Sequence, residues 1–225
     1  MAGESDGWRG RTLERSLRTA RERAMSRSER FITVATELLY ETGNLDFTVQ
    51  DLVERSGLSL RSFYQHFASK DELLLAVLEE AIRSYVSSLR GRIEAESDPV
   101  RRLEMYVTEF FGASQKSNRR ASAALSRYLL TLAGAEPAEL ARVLAPQVQL
   151  LSEIIDAGCR AGRFRTDLPV AVLTNLITQT IMSAVEMDVL GSHLTGASYT
   201  APDLWAFVAG GIAPSTGGPA TRHQA

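Results

Sequence analysis

The chain has one cysteine in 225 residues, Cys159, so no disulfide can form within it. A lone thiol directs the reading toward a reducing, cytoplasmic setting and makes Cys159 a buried, inert group. Histidine is nearly as scarce. His66, His193 and His223 are the only three, no two of them stand at metal-ligand spacing, and neither a phosphate-cradling glycine loop nor a nucleophile elbow occurs. Those gaps argue against metalloenzymes, nucleotide hydrolases and serine hydrolases, and so against an enzyme, and they leave no cofactor or metal to expect. The longest uninterrupted apolar run, Leu73 to Leu78, is too short to cross a bilayer, and the first thirty residues lack the apolar segment of a signal peptide. No membrane partner is expected. Lysine is almost missing too: Lys70 and Lys116 are the only two among 25 basic residues, and the arginine bias, with abundant alanine, suggests a bacterial genome rich in G+C. Strand-type alternation is also lacking throughout, which leaves an all-α chain.

What is present is helical periodicity. The 44% hydrophobic content suffices for a sizeable core. Residues 1–25 have sparse apolar positions at Leu13, Leu17, Ala20 and Ala24 and predict a flexible or marginally helical arm. The net charge is −2, yet residues 9–30 hold eight Arg against three Glu, a local +5. Ser26 with Glu29 reads as the capping box of a first helix that Gly43 ends. Later apolar stripes at 3.6 spacing start at Ser69, after Asp98-Pro99, at Ala124, after Pro137, near Asp167-Leu168-Pro169 and at Leu204, with Pro146 either kinking or splitting the helix that contains it. The count is about nine helices. Residues 214–225, rich in Pro, Gly, Ser and Thr, predict a disordered tail.

The most informative stretch is Thr48 to Lys70, two short helical patterns about a glycine. Thr48 with Asp51 forms a capping box, with Phe47 and Leu52 as its hydrophobic staple. Gly57 suits the left-handed position that ends a helix, and Ser59 caps the second of the two. Leu58, Phe63 and Phe67 then face inward, while Arg61, Ser62, Tyr64, Gln65 and His66 point out. A short helix with an apolar inner edge and a polar outer edge is what a major groove accepts, so the pattern reads as a helix-turn-helix.

The same residues resemble the DNA-binding domain of the TetR family of bacterial transcriptional regulators. The resemblance covers about residues 28–75: a Thr-led second helix, a Gly turn, a Ser-capped recognition helix, then Tyr64-Gln65-His66-Phe67-Ala68-Ser69-Lys70-Asp71-Glu72-Leu73. It implies an N-terminal three-helix DNA-binding domain (26–72), preceded by the basic arm (1–25) and joined by a long helix to a larger helical ligand-binding and dimerisation domain (73–213). It further implies that Thr48, Tyr64, His66 and Lys70 clamp DNA phosphates. Arg61, Ser62 and Gln65 are the outward positions expected to meet base edges, Arg being suited to guanine and Gln to adenine. A small apolar effector is expected near Tyr106, Phe110, Phe111, Tyr128 and Met182, with Gln179, Thr178 and Asn175 as nearby polar groups. Residues of the first kind are more often plain core, and the polar three can instead face solvent or the dimer partner. The implied protein is a homodimer that represses from a near-palindromic double-stranded operator; it is expected to join mainly through residues 168–212, and charge at Ile177 or Ile181 should break it if they lie in the seam. A DNA-binding regulator or architectural protein without an effector is the alternative.

Overall fold

A computed structural model describes residues 7–116, 118–191 and 196–214, with side chains for 25–112, 118–191 and 196–214. His193 and the tail beyond residue 214 lie outside the described residues. Within them the chain forms nine α-helices and no strand. They are α1 (Gly7–Thr42), α2 (Val49–Ser56), α3 (Leu60–His66), α4 (Lys70–Glu94), α5 (Pro99–Lys116), α6 (Arg119–Ala135), α7 (Pro137–Arg160), α8 (Val170–Leu190) and α9 (Ala201–Ile212). The chain divides into two compact units at Val77/Leu78, a point inside α4.

In unit 1, α1, α2 and α3 pack against one another around Phe31, Val34, Leu39, Leu52, Phe63 and Phe67. The Phe31 ring meets Phe63 edge-on at 5.4 Å between centroids and Phe67 at 6.3 Å. Arg55 reaches from α2 to α1, donating to both carboxylate oxygens of Glu41, one at 2.7 Å. The first helix begins at Gly7, not at Ser26 as the capping signal predicts. Arg, Glu, Leu and Ala upstream of Ser26 are good helix formers, so nothing stops the helix there. Ser28, inside the helix, instead donates back to the Met25 carbonyl at 2.8 Å.

In unit 2, α5 packs on α6, α7, α8 and α9, and α7 packs on α6 and α8. Its core joins Val86, Leu89 and Ile93 of α4 to Leu103, Tyr106 and Phe111 of α5, Leu151 and Ile155 of α7, Leu173, Ile177 and Ile181 of α8, and Leu204 and Val208 of α9. Pro146 does not split α7, which runs unbroken around it. The α7–α8 turn depends on Gly158, where an added Cβ would lie 2.0 Å from the Phe164 ring. Beyond it, the Arg165 N–H and guanidinium donate to the carbonyls of Ile212 and Gly211, both at 3.0 Å, tying the end of α9 to this turn. Cys159 is half-buried and donates to the Arg165 carbonyl at 3.3 Å; burial first, and Asp156 second, push its thiol above the usual value.

Helix α9 starts three residues earlier than its apolar block suggests. Thr200 and Asp203 form a second capping box, with Pro202 in the first turn. One helix among the described residues, α8, is long and apolar enough to span a bilayer by length and composition. The longest-run criterion overlooks it because Thr, Asn, Gln and Ser interrupt the apolar residues. In the fold, Leu173, Ile177, Ile181 and Ala184 of this helix lie in the unit 2 core.

Candidate nucleic-acid interface and the interior of unit 2

Local chemistry builds the α2–turn–α3 segment as the sequence predicts. The Asp51 N–H donates to the Thr48 hydroxyl at 3.1 Å, and the Asp51 carboxylate accepts from the Thr48 N–H at 2.6 Å and from its hydroxyl at 2.8 Å. These bonds hold the Asp51 carboxyl below its ordinary value, the backbone bond contributing most. Gly57 then takes φ 70° and donates to the Val53 carbonyl, closing α2. Ser59 caps α3 by accepting from the Ser62 N–H at 3.1 Å.

This construction aims one edge of α3 outward. Tyr64 is 58% exposed, with Arg61 and Gln65 exposed beside it and His66 half-buried at the end. The inner edge is braced by Phe63, fully buried against Phe31. Ser62 departs from expectation: it is 7% exposed and its hydroxyl meets no hydrogen-bond partner. It shares the inward edge with Phe63 and cannot stand among outward groups. Packing of α3 on α1 and α2 sets which edge is covered, and that edge takes in residues 62 and 63.

Two expected phosphate contacts are engaged within the chain. The Thr48 hydroxyl belongs to the capping box. Lys70 is half-buried; its ammonium donates to the Leu45 carbonyl and lies 4.8 Å above the Phe47 ring, tethering the loop before α2. An ammonium has three N–H groups, so two remain for another acceptor. The start of α4 is capped as well: the Glu72 N–H donates to Ser69 at 3.1 Å, while the Glu72 carboxylate accepts from the Ala68 N–H at 2.5 Å.

In unit 2, the Tyr106 and Phe110 rings are stacked, 6.0 Å between centroids. The fully buried Tyr106 hydroxyl donates to the Gln147 carbonyl at 3.2 Å. Tyr85, which the sequence offers only as one apolar position of α4, completes this cluster edge-on to Phe110 at 5.5 Å. Its hydroxyl is buried without a partner; burial first, then Glu109, pushes the phenol well above its usual value, with Arg92 opposing. Phe111 is buried and meets Tyr199 instead, at 5.8 Å. Tyr128 and Met182 are half-buried on α6 and α8. Gln179 is exposed and donates to Asn175 at 3.3 Å, so neither lines an interior, whereas the Thr178 hydroxyl is buried and unpartnered.

The outer side of α8 shows a second departure. Ile177 and Ile181 are buried within their own chain. The residues left exposed at helical spacing are Val172, Leu176, Gln179 and Ser183, and Phe207 on α9 is 71% exposed beside an open groove of about 390 Å³ lined also by Ser183, Tyr199 and Leu204.

Comparison with known proteins agrees with this division. Residues 31–77 match the family described as bacterial regulatory proteins, tetR family, and residues 78–203 match the C-terminal region of YsiA-like proteins. The two matches meet where the compact units do. A transcriptional repressor, KstR2 of Mycobacterium tuberculosis, is 24% identical over 83% of this chain and 93% of its own. The transcriptional activator FasR of Mycolicibacterium smegmatis is 33% identical over 38% of this chain, a match that spans only 39% of that activator. The structure of the regulator FadR from Bacillus subtilis in complex with stearoyl-CoA superposes with a TM-score of 0.64 at 18% identity, covering 81% of this chain and 95% of that one. RolR in complex with resorcinol gives 0.64 at 20% identity, covering 85% and 89%. A helix-turn-helix unit matching one family description, followed by a helical unit whose match alone spans more than half of the sequence, places the chain in the tetR family of bacterial transcriptional regulators, with a YsiA-like C-terminal region.

Proposed function

We propose that this chain is a cytoplasmic, ligand-responsive repressor that binds a near-palindromic DNA operator as a homodimer and releases it on binding a small apolar effector. The observation that carries the proposal is the exposed edge of α3, with Arg61, Tyr64 and Gln65 presented by a helix that caps and aromatic packing hold in place. In this reading Arg61 and Gln65 meet base edges. Tyr64 and His66 donate to phosphates, and Thr48 and Lys70 fix the approach of the loop and the start of α4, with Lys70 adding positive charge.

Dimerisation through α8 and α9 is supported by the exposed apolar side chains Val172, Leu176 and Phe207. A two-fold interface is the usual way such a face is closed. An apolar effector is supported by the Tyr85, Tyr106 and Phe110 cluster, where an unpartnered phenol provides one polar anchor in an apolar setting. Since α4 belongs to both units, an effector that prefers one arrangement of its unit 2 segment shifts the DNA-competent population by that preference.

The test is release of an operator selected from random DNA, measured with long acyl thioesters, small phenols and strongly anionic metabolites. Release by an apolar ligand, weakened by Tyr85→Phe, is expected. Release only by small, highly charged ligands would contradict the effector class, and no release by any ligand of the panel would favour a regulator without an effector.

A further inference from the structure

Helix α1 is 36 residues long, and among its described side chains, which start at Met25, those in the three-helix core begin at Phe31. The twenty residues before Arg27 extend about 30 Å at helical rise. This extension and the turn after it hold the chain's main concentration of positive charge: eight Arg and three Glu within residues 9–30, a net +5 in a chain of −2 overall, so the remaining residues total −7. With the backbone helical, Arg11, Arg15 and Arg18 follow one another at i, i+4 and i+7, opposite the positions of Leu13, Leu17, Ala20 and Ala24. The base of the extension stands beside the DNA-facing helix. Phe31 packs on Phe63 of α3, and Arg27 and Arg30, within the preceding turn or so, are exposed.

We infer that this arginine-rich helical extension is a second DNA-contacting element, one that binds the phosphate backbone flanking the operator half-site without reading its sequence. The partner is set by charge. About 30 Å of duplex presents roughly 18 phosphate charges, which an arginine-bearing helix of that length can meet with guanidinium groups and displace counterions. Arginine suits the role because its planar fork donates to two oxygens at once. The inference rests on the reading that unit 1 binds DNA, and it adds a sequence-independent contribution to affinity that α3 alone does not supply.

The test uses the full chain with Arg11, Arg15, Arg18 and Arg21 all changed to Gln, and a matching set changed to Lys. Binding is measured at several salt concentrations to the selected operator with long flanks, to an unrelated duplex of equal length, and to vesicles of phosphatidylcholine with phosphatidylserine. The Gln set should weaken both duplexes by a similar factor. If each protomer loses two phosphate contacts, the slope of log K against log salt should become shallower by ~1.8 per protomer. Base preferences should be unchanged, and the Lys set should restore the slope. An unchanged slope with operator preference intact would overturn the inference while leaving the α3 reading in place. Vesicle binding that the Gln set abolishes, with the DNA slope unaltered, would overturn it in favour of a membrane surface. A shallower slope in a protein whose wild type shows no operator preference would support the extension as a DNA element and sink the regulator reading instead.

Discussion

The helices of unit 1 that matter for DNA are short, eight residues in α2 and seven in α3, whereas α7 and α8 of unit 2 run 24 and 21. Short helices are marginal on their own and need local help at both ends. In unit 1 that help is explicit: the Thr48–Asp51 box, Gly57 in the left-handed conformation, and the Ser59 cap. Helices α7 and α8 have no side-chain cap at their starts and are held by buried faces, Leu151 and Ile155 on one and Ile177 and Ile181 on the other. Stability written into neighbouring residues stands against stability written into distant ones. The two units should therefore break in different places.

The largest effect should come from charge placed in the buried face of unit 2. Ile181→Glu buries an unpaired carboxylate and should unfold unit 2, with a loss of several kcal/mol. Leu176→Glu and Phe207→Glu fall on exposed positions, so they should preserve helicity and yield monomers in sedimentation at micromolar concentration. A folded, monomeric Ile181→Glu would show that the seam had been assigned to the wrong side of α8.

The same contrast governs how much of the fold is legible in the sequence. In unit 1 the caps, the turn and the aromatic brace can be read because each signal involves residues within a few positions of one another. Ser62 is misread because helical period alone does not fix the edge of a seven-residue helix that faces the core; its packing on α1 and α2 does. In unit 2 the stripes locate the helices. The partner each stripe packs on depends on contacts far apart in sequence, so the burial of Ile177 and Ile181 and the joining of Tyr85 to Tyr106 and Phe110 emerge only in three dimensions. Ser26 is a capping signal overruled by the good helix formers before it.

Glycine should separate the units on a smaller scale. Gly158→Ala drives a Cβ into the Phe164 ring and should cost about 1–3 kcal/mol by overpacking. At Gly57 there is open space around the added Cβ, so Gly57→Ala should cost only the left-handed backbone, roughly 1–2 kcal/mol. The loss at Gly158 should be the larger of the two, and equal losses would contradict the distinction; denaturant unfolding of both variants measures it.

The smallest effect is acid sensitivity at the two capping boxes. Asp51 and Asp203 are both held below the ordinary aspartate value of 3.8 by bonds to Thr48 and Thr200. A carboxyl with a depressed folded value stabilises the fold above its unfolded value and loses that contribution as pH falls through the folded one. The Thr48 and Thr200 amide resonances should therefore report the loss of both boxes only below about pH 3.8. Asp51→Asn should remove the transition at α2 and spare α9.

The central claim, that the exposed edge of α3 reads DNA while its neighbours hold phosphate, is tested most directly by one binding matrix. Wild type, Arg61→Ala, Gln65→Ala and Tyr64→Phe are titrated against the selected operator and every single base-pair change in it. Arg61→Ala and Gln65→Ala should each cost about 1–3 kcal/mol on the preferred operator and flatten discrimination at one symmetric pair of positions. Tyr64→Phe should weaken all operators alike. Uniform losses for Arg61→Ala and Gln65→Ala, with every base preference intact, would contradict the claim.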